Sequence, residues 1–212
     1  MMRSAGGDLE INGWMRLPFR FSETELATLS AFGPHVGRGV RLSDMSSLAA
    51  ALPKKFRTQI RGLGFNPLPN RAVGFVKSKA DNWSLPWHQD RVIAMDAKVD
   101  DPNYINWNRK SGVWHCEPAE DILRQIAFAY IAFDSFQRGE GGLELAAGTH
   151  HFGKMAHEDI KTKITASNIV TPNMQTGDVI LVSALTLHRS ILWSGAGQRR
   201  ALRLDFLRAA LA

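Results

Sequence analysis

Leu85-Pro86-Trp87-His88-Gln89-Asp90 is the stretch on which the reading of this chain turns. His88 and Asp90 are separated by one residue, and in an extended strand that spacing puts both side chains on one face. An imidazole nitrogen beside a carboxylate oxygen supplies two corners of a metal site. A second imidazole from elsewhere would complete the 2-His-1-carboxylate facial set that leaves open positions on an Fe(II) centre. Alone, the His-x-Asp pair fits a strand-end hydrogen bond just as well, so the decision rests with the rest of the chain.

Working outward, the second half alternates short apolar runs with turn signals. IAFAYIAFD (126–134) is nearly continuous, as expected of a strand buried on both faces. Gly139 to Gly142 forms a turn, LEL (143–145) follows, and NIVTP (168–172) precedes a Gly177-Asp178 turn. VILVSALTLH (179–188) reads as a second apolar strand ending on His188, a candidate for the second imidazole. ILW (191–193), a Ser-Gly-Ala-Gly loop (194–197) and RRALRLDF (199–206) complete the series. The strand opened by Arg199 can pair antiparallel with the one that carries His188. Such a hairpin would aim a guanidinium into the same cavity, suited to bidentate capture of a carboxylate. Ser190, two residues past His188 and so on its face, adds a hydroxyl.

Upstream, SETELATLSAF (22–32) opens with a capping box, Ser22 with Glu25, and Gly33-Pro34 ends that helix. A second helical stretch starts near Ser43 or Asp44 and carries Leu48, Ala49, Leu52, Phe56 and Ile60, with Pro53 kinking or dividing it. RAVGFVKSK (71–79) reads as a strand, with Val73, Phe75 and Lys77 alternating against their neighbours. Residues 97–122 are polar and rich in turn signals, and read as a long loop whose Trp107 and Trp114 argue against disorder. Helices first and many short strands afterwards predict a mainly β protein with N-terminal helices on a jelly-roll, double-stranded β-helix core. The expected organisation is one domain over 1–212: a helical part (1–70) packed on a 71–207 core, with 97–122 inserted as a loop.

Composition narrows the classes. With 44% hydrophobic and 22% charged residues the chain is that of an ordinary globular protein, and its length is sufficient to bury a full core. The single cysteine, Cys116, excludes an intrachain disulfide and points to a reducing cytosol. No stretch approaches the roughly 18 apolar residues of a membrane span, and MMRSAGGDLEINGW lacks a signal-peptide core, so a cytoplasmic protein away from membranes is expected. The net charge of +6 is spread over small groups at 54–61, 109–110, 161–163 and 199–208, with no long basic run. Nucleic acid is therefore not the expected partner; a positive site for a dicarboxylate explains part of the bias. The oligomeric state is not legible.

Five ordered segments resemble the phytanoyl-CoA dioxygenase family of Fe(II)- and 2-oxoglutarate-dependent oxygenases. They are FVKSKADNWSLPWHQD (75–90), WHCEPAEDIL (114–123), AFDSFQRGEGGLELAAGTHHFG (132–153), TGDVILVSALTLHRS (176–190) and QRRALRLDF (198–206). The resemblance implies that His88, Asp90 and His188 are iron ligands and that Arg199 binds the distal carboxylate of 2-oxoglutarate, assisted by Ser190. It places Lys77 near cosubstrate or substrate; Arg200 is the adjacent alternative to Arg199, and strand alternation would point it away from the site. It implies Fe(II), 2-oxoglutarate and O2 as reactants, and hydroxylation of an aliphatic C–H of a small molecule with release of succinate and CO2. The chain departs from the family at 146–150, where Ala-Ala-Gly-Thr-His replaces a Pro-Gly-Ser/Thr-His turn. Gly148 keeps the residue that an unusual backbone angle needs, so a changed turn rather than a lost site is expected. His150 and His151 are expected at the surface or behind the site, and His35, His115 and His157 as structural or exposed. Trp83, Trp87, Trp107 and Trp114 are candidates for pocket or lid walls.

Three other readings stay open: a 2-oxoglutarate oxygenase acting on nucleic acid or protein, a non-catalytic metal- or small-molecule-binding jelly roll, and a Zn(II) hydrolase using the same three ligands. The hydrolase leaves Arg199 unexplained.

Overall fold

A computed structural model of the chain describes residues 5–33, 38–42, 44–137 and 139–211. The expectations for Pro34, His35 and Ser43 lie outside the described residues.

The N-terminal part holds α1 (Ala5–Asn12), β1 (Trp14–Arg20), α2 (Glu23–Ser30), β2 (Arg38–Arg41), α3 (Met45–Ala51) and α4 (Lys54–Gly62). The Ser22–Glu25 capping box closes α2 as read, and Pro53 divides the second helical stretch into α3 and α4. The purely helical expectation for 1–70 is corrected by β1 and β2. β1 contains Pro18, which removes a ladder donor; it is tolerated because β1 is an edge strand with a register irregularity between Arg16 and Arg20. Arg16 and Arg20 both bond the Asp178 carboxylate, at 2.6 and 2.8 Å, tying this edge down.

The remaining elements are β3 (Arg71–Ser78), β4 (Leu85–His88), β5 (Ile93–Met95), β6 (Tyr104–Lys110), β7 (Val113–Pro118), α5 (Glu120–Leu123), β8 (Ile126–Ala132), β9 (Leu143–Ala147), α6 (His157–Thr165), β10 (Asn168–Val170), β11 (Asp178–Ser183), β12 (His188–Ser190) and β13 (Gln198–Leu207). They form a six-stranded antiparallel sheet in the order β1-β11-β8-β13-β3-β2 and a four-stranded one in the order β10-β9-β12-β4. These are the two layers of a jelly roll. The 97–122 segment is not a loop: β6 and β7 form a hairpin that pairs with β5 in a third, three-stranded sheet.

Alternation explains the apolar runs. In β8, Ala127, Ala129 and Ile131 face the helices with Leu29, Leu48, Phe56 and Ile60, while Phe128, Tyr130 and Ala132 face the sandwich interior with Leu145, Ile180 and Val182. A strand covered on both faces has no polar side to display. VILVSALTLH is corrected from one strand to two: β11 ends at Ser183, the chain turns through 184–187, and His188 opens β12 in the other sheet. ILW (191–193) forms no strand. Gly148, at φ +79°, holds the left-handed angle expected of the altered turn.

Candidate active site

The site grows from the register of β4 with β12, which sets His88 directly opposite His188 with ring centroids 4.3 Å apart. Asp90 lies just past the end of β4, its amide bonded to the Ala184 carbonyl at 2.9 Å. Gln89 between them turns the other way. Its buried carboxamide donates to the carbonyls of Gly153 and Leu185 and accepts from the Met155 amide, pinning the ligand segment to the β11–β12 corner. The donor atoms of His88, Asp90 and His188 all lie within 4.8 Å of one another, and His188 Nε2 is 3.1 Å from Asp90 Oδ2.

Both imidazoles are oriented alike. His88 Nδ1 is 2.8 Å from the Pro86 carbonyl and His188 Nδ1 is 2.9 Å from the Thr186 carbonyl. A carbonyl only accepts, so Nδ1 carries a proton in each ring and Nε2 is the nitrogen turned toward the other donors, where a metal ligand must stand. Burial and the neighbouring His188 push His88 down to about 4, against the opposing pull of Asp90, so it is neutral at pH 7. Burial opposes ionisation of Asp90, but Arg203 and His188 overcome it and hold the carboxyl well below the usual range. His88 and Asp90 therefore stand in the protonation states that a divalent metal requires.

The expected hairpin between the His188 and Arg199 strands does not form. β13 pairs with β3 and β8 in the six-stranded sheet, whereas β12 lies in the facing one. Arg199 reaches the same cavity across the sandwich. Along β13, Arg199, Ala201, Arg203 and Asp205 share the inner face, while Arg200 points outward and bonds Asp134 at 2.7 and 2.9 Å, as strand alternation predicts.

On β3 the inner face carries Arg71 and Lys77, and Lys77 is directly opposite Arg199. Two like charges thus face each other with 0% and 1% exposure, an arrangement that is unfavourable without an anion between them. Lys77 Nζ donates to Ser190 Oγ at 2.7 Å and to the Ile191 carbonyl, and lies 4.4 Å over the Trp83 ring. Burial, then Arg199, lowers Lys77 to about 7. Arg199 Nη1 donates to Tyr130 Oη at 2.6 Å, while its Nε is buried without a partner. Arg199, Ser190, His88 and His188 line one cavity together with Phe75, Trp83, Leu85, Phe128, Tyr130, Leu143 and Arg203.

Sequence reasoning missed what stands behind the metal corner. Arg203 Nη1 donates to Asp90 Oδ2 at 2.5 Å, and Arg203 Nε donates to Asp205 Oδ1 at 2.6 Å. Arg71 Nε donates to Asp205 Oδ2 at 2.6 Å, completing a buried chain of alternating charges. The period-two spacing of Arg199, Arg203 and Asp205 was the available signal. Among the tryptophans only Trp83 lines this cavity. Trp107 and Trp114 pack on each other in the third sheet, and Trp87 carries Arg189 over its ring. His150 and His151 stack at 3.9 Å and bond the carbonyls of Glu10 and Ile11, fastening α1 rather than joining the triad.

A jelly roll with an inward His-x-Asp…His set and a buried arginine beside it defines a class, the metal-dependent oxygenases. The phytanoyl-CoA dioxygenase (PhyH) family model matches residues 22–201, and the chain belongs to that family, whose members use Fe(II), 2-oxoglutarate and O2. Solved structures with this fold include AviO1 from Streptomyces viridochromogenes Tue57, at 14% identity and TM-score 0.66 over 98% of this chain and 95% of that one. The non-haem alpha-ketoglutarate-dependent carbocyclase SnoK from nogalamycin biosynthesis superposes with TM-score 0.62 at 15% identity, covering 99% of this chain and 85% of SnoK. HygX from Streptomyces hygroscopicus, with nickel, 2-oxoglutarate and hygromycin B bound, gives TM-score 0.62 at 15% identity over 99% and 88%. None of the curated protein sequences matches the chain. Among the described residues, no helix is long and apolar enough to cross a membrane.

Proposed function

We propose that His88, Asp90 and His188 hold Fe(II), and that Arg199, with Ser190 and Lys77, holds 2-oxoglutarate. In this reading the enzyme hydroxylates an aliphatic C–H of a small molecule and releases succinate and CO2. The observation that carries it is the buried Lys77–Arg199 pair facing one cavity beside the triad. Two cations and an unpartnered guanidinium nitrogen fit a carboxylate, and a dicarboxylate can reach from there to the metal. A hydrolase has no use for that pair.

When bound, the metal with 2-oxoglutarate and O2 supplies the oxidising chemistry. The chain's own residues position it. The carbonyls of Pro86 and Thr186 fix both imidazoles, Arg203 holds one oxygen of Asp90, and Arg199 anchors the cosubstrate through charge-assisted bonds. Phe75, Trp83, Phe128 and Leu143 keep the cavity dry, which strengthens those bonds. A small-molecule substrate is supported by the scattered surface charge and by the hygromycin B bound in HygX, a protein of the same fold.

Arg199→Ala is expected to weaken 2-oxoglutarate binding by about 1.5–3 kcal/mol, the range for a lost hydrogen bond to a charged group. That is roughly ten- to 150-fold in Kd. Anaerobic calorimetric titration of metal-loaded protein reads it, and an unchanged affinity would remove Arg199 from the anchor.

Lys77 gives a pH test. Its amine is charged below about 7 and neutral above. A bound dianion favours the charged form, so binding above pH 7 takes up a proton. The affinity for 2-oxoglutarate is therefore expected to be level below pH 6.5 and to fall between pH 7 and 9, with Lys77→Met flattening the profile. A wild-type profile with no slope in that window refutes the contact.

A further inference from the structure

Beyond the Asp90–Arg203–Asp205–Arg71 chain lies a second cavity of about 300 Å³, between β2, the start of α3, β5 and the β6–β7 hairpin. Arg41, Arg71 and His115 line it from within, with Lys110, Asp44 and Asp96 more exposed around them. We propose that this cavity is a binding site for the phosphate group of a small molecule, with Arg41 as its principal contact and Arg71, Lys110 and His115 as its support.

Arg41 is the reason. It makes no hydrogen bond or ion pair among the described residues, and its Nε is buried without a partner. A guanidinium does not shed its proton, so a half-buried one left uncompensated calls for an anion, and its planar fork suits an oxyanion. Burial, then the charges of Arg71 and Arg203, lowers Arg41 from its usual value. Arg71 spends its Nε on Asp205, and the Asp90–Arg203–Asp205–Arg71 chain balances two guanidiniums with two carboxylates, so the uncompensated charge at this cavity rests on Arg41.

His115, at 2% exposure, donates Nδ1 to the Val113 carbonyl at 3.0 Å. Its Nε2, an acceptor in that tautomer, is the ring nitrogen left to meet a protonated phosphate oxygen. The acidic lining residues stand at the rim. Asp44 uses Oδ1 to cap α3 through the Ser47 amide at 3.0 Å, and Asp96 is exposed. A positive floor with several cationic donors favours a multiply charged oxyanion over a single carboxylate. The volume, within the usual range for small-molecule sites, has room for the rest of the molecule.

The test is calorimetric titration of the full chain with inorganic phosphate, in wild type and in Arg41→Ala, His115→Gln and Arg199→Ala, with acetate as the carboxylate probe. Saturable binding of one phosphate is expected, weakened at least tenfold by Arg41→Ala, less by His115→Gln, and unaffected by Arg199→Ala. The Arg41 side chain has no hydrogen-bond or ion-pair partner among the described residues to lose, so Arg41→Ala is expected to melt like wild type. The proposal is overturned by an absence of saturable binding, by unchanged binding in Arg41→Ala, or by loss in Arg199→Ala alone, which would put the phosphate in the first cavity. Acetate binding as tightly as phosphate would overturn the assignment to phosphate. None of these outcomes depends on whether the metal-site cavity binds 2-oxoglutarate.

Discussion

His88→Ala is expected to abolish Fe(II)-dependent conversion of 2-oxoglutarate to succinate while leaving the fold intact. The side chain is bonded only through Nδ1 to the Pro86 carbonyl and faces the cavity with its other nitrogen, so its removal strips no buried partner. Losing a group that merely orients a metal ligand costs 10–100-fold in affinity, so losing a ligand is expected to cost at least about a hundredfold. Asp90→Ala also abolishes turnover, but with a stability penalty that His88→Ala lacks, because Arg203 Nη1 loses its acceptor in a buried setting. Calorimetric titration with Mn(II), succinate assays and thermal melts separate the two effects. Wild-type metal affinity and succinate formation in His88→Ala would refute the ligand assignment. Removing the metal from wild type with a chelator is expected to reproduce the loss of turnover, and adding Fe(II) back to reverse it.

What was legible in the sequence follows from which physical signals are local. The apolar runs at 126–134 and 179–188 announce strands covered on both faces, and His88-x-Asp90 announces two donors on one side of the chain. The corner at 184–187 carries no glycine or proline, so nothing in the sequence divides β11 from β12. Its turn is held instead by Asp90, Gln89 and Thr149, which bond the 184, 185 and 187 backbone from distant segments. The hairpin expected between His188 and Arg199 failed for the same reason. Sequence neighbours were assumed to pair, whereas the jelly roll sends successive strands to opposite layers and brings Arg199 to the cavity from across the core. The 97–122 segment hid its strands because a partly exposed three-stranded sheet lacks clean alternation; Asn106 and Ser111 also take positive φ there, at 57° and 50°. Pro18 concealed β1 because only an edge position admits it. Lys77 was legible as a strand residue, but its face-to-face placement with Arg199 is a property of register that no single segment records.

Arg203→Met is expected to be the most destabilising single change in the site, at about 3–5 kcal/mol, the usual cost of removing one partner from a buried ion pair. Arg203 donates to two carboxylates at once, Asp90 and Asp205, and both are largely buried. Asp205 keeps Arg71, but Asp90 is left with the two imidazoles, one of them held neutral. The sign of the pH dependence follows. Arg203 is the main cause holding Asp90 below its unfolded value in the native state, so the stability it confers is present above about pH 4, the ordinary carboxylate range, and is lost as pH falls through the lowered native value. In Arg203→Met that acid-dependent component shrinks, and the stability gap to wild type narrows as pH drops. Arg200→Ala is the control. It breaks a bidentate pair with Asp134 on the outer face of the same strand, where the two side chains are 35% and 23% exposed, and is expected to cost no more than about 1 kcal/mol. Urea denaturation of the metal-free proteins at pH 7 and pH 3 measures all of this. An Arg203→Met protein within 1 kcal/mol of wild type at pH 7 would mean that water or a rearranged Arg71 takes over Asp90, and that β13 positions the metal corner less rigidly than its hydrogen bonds imply.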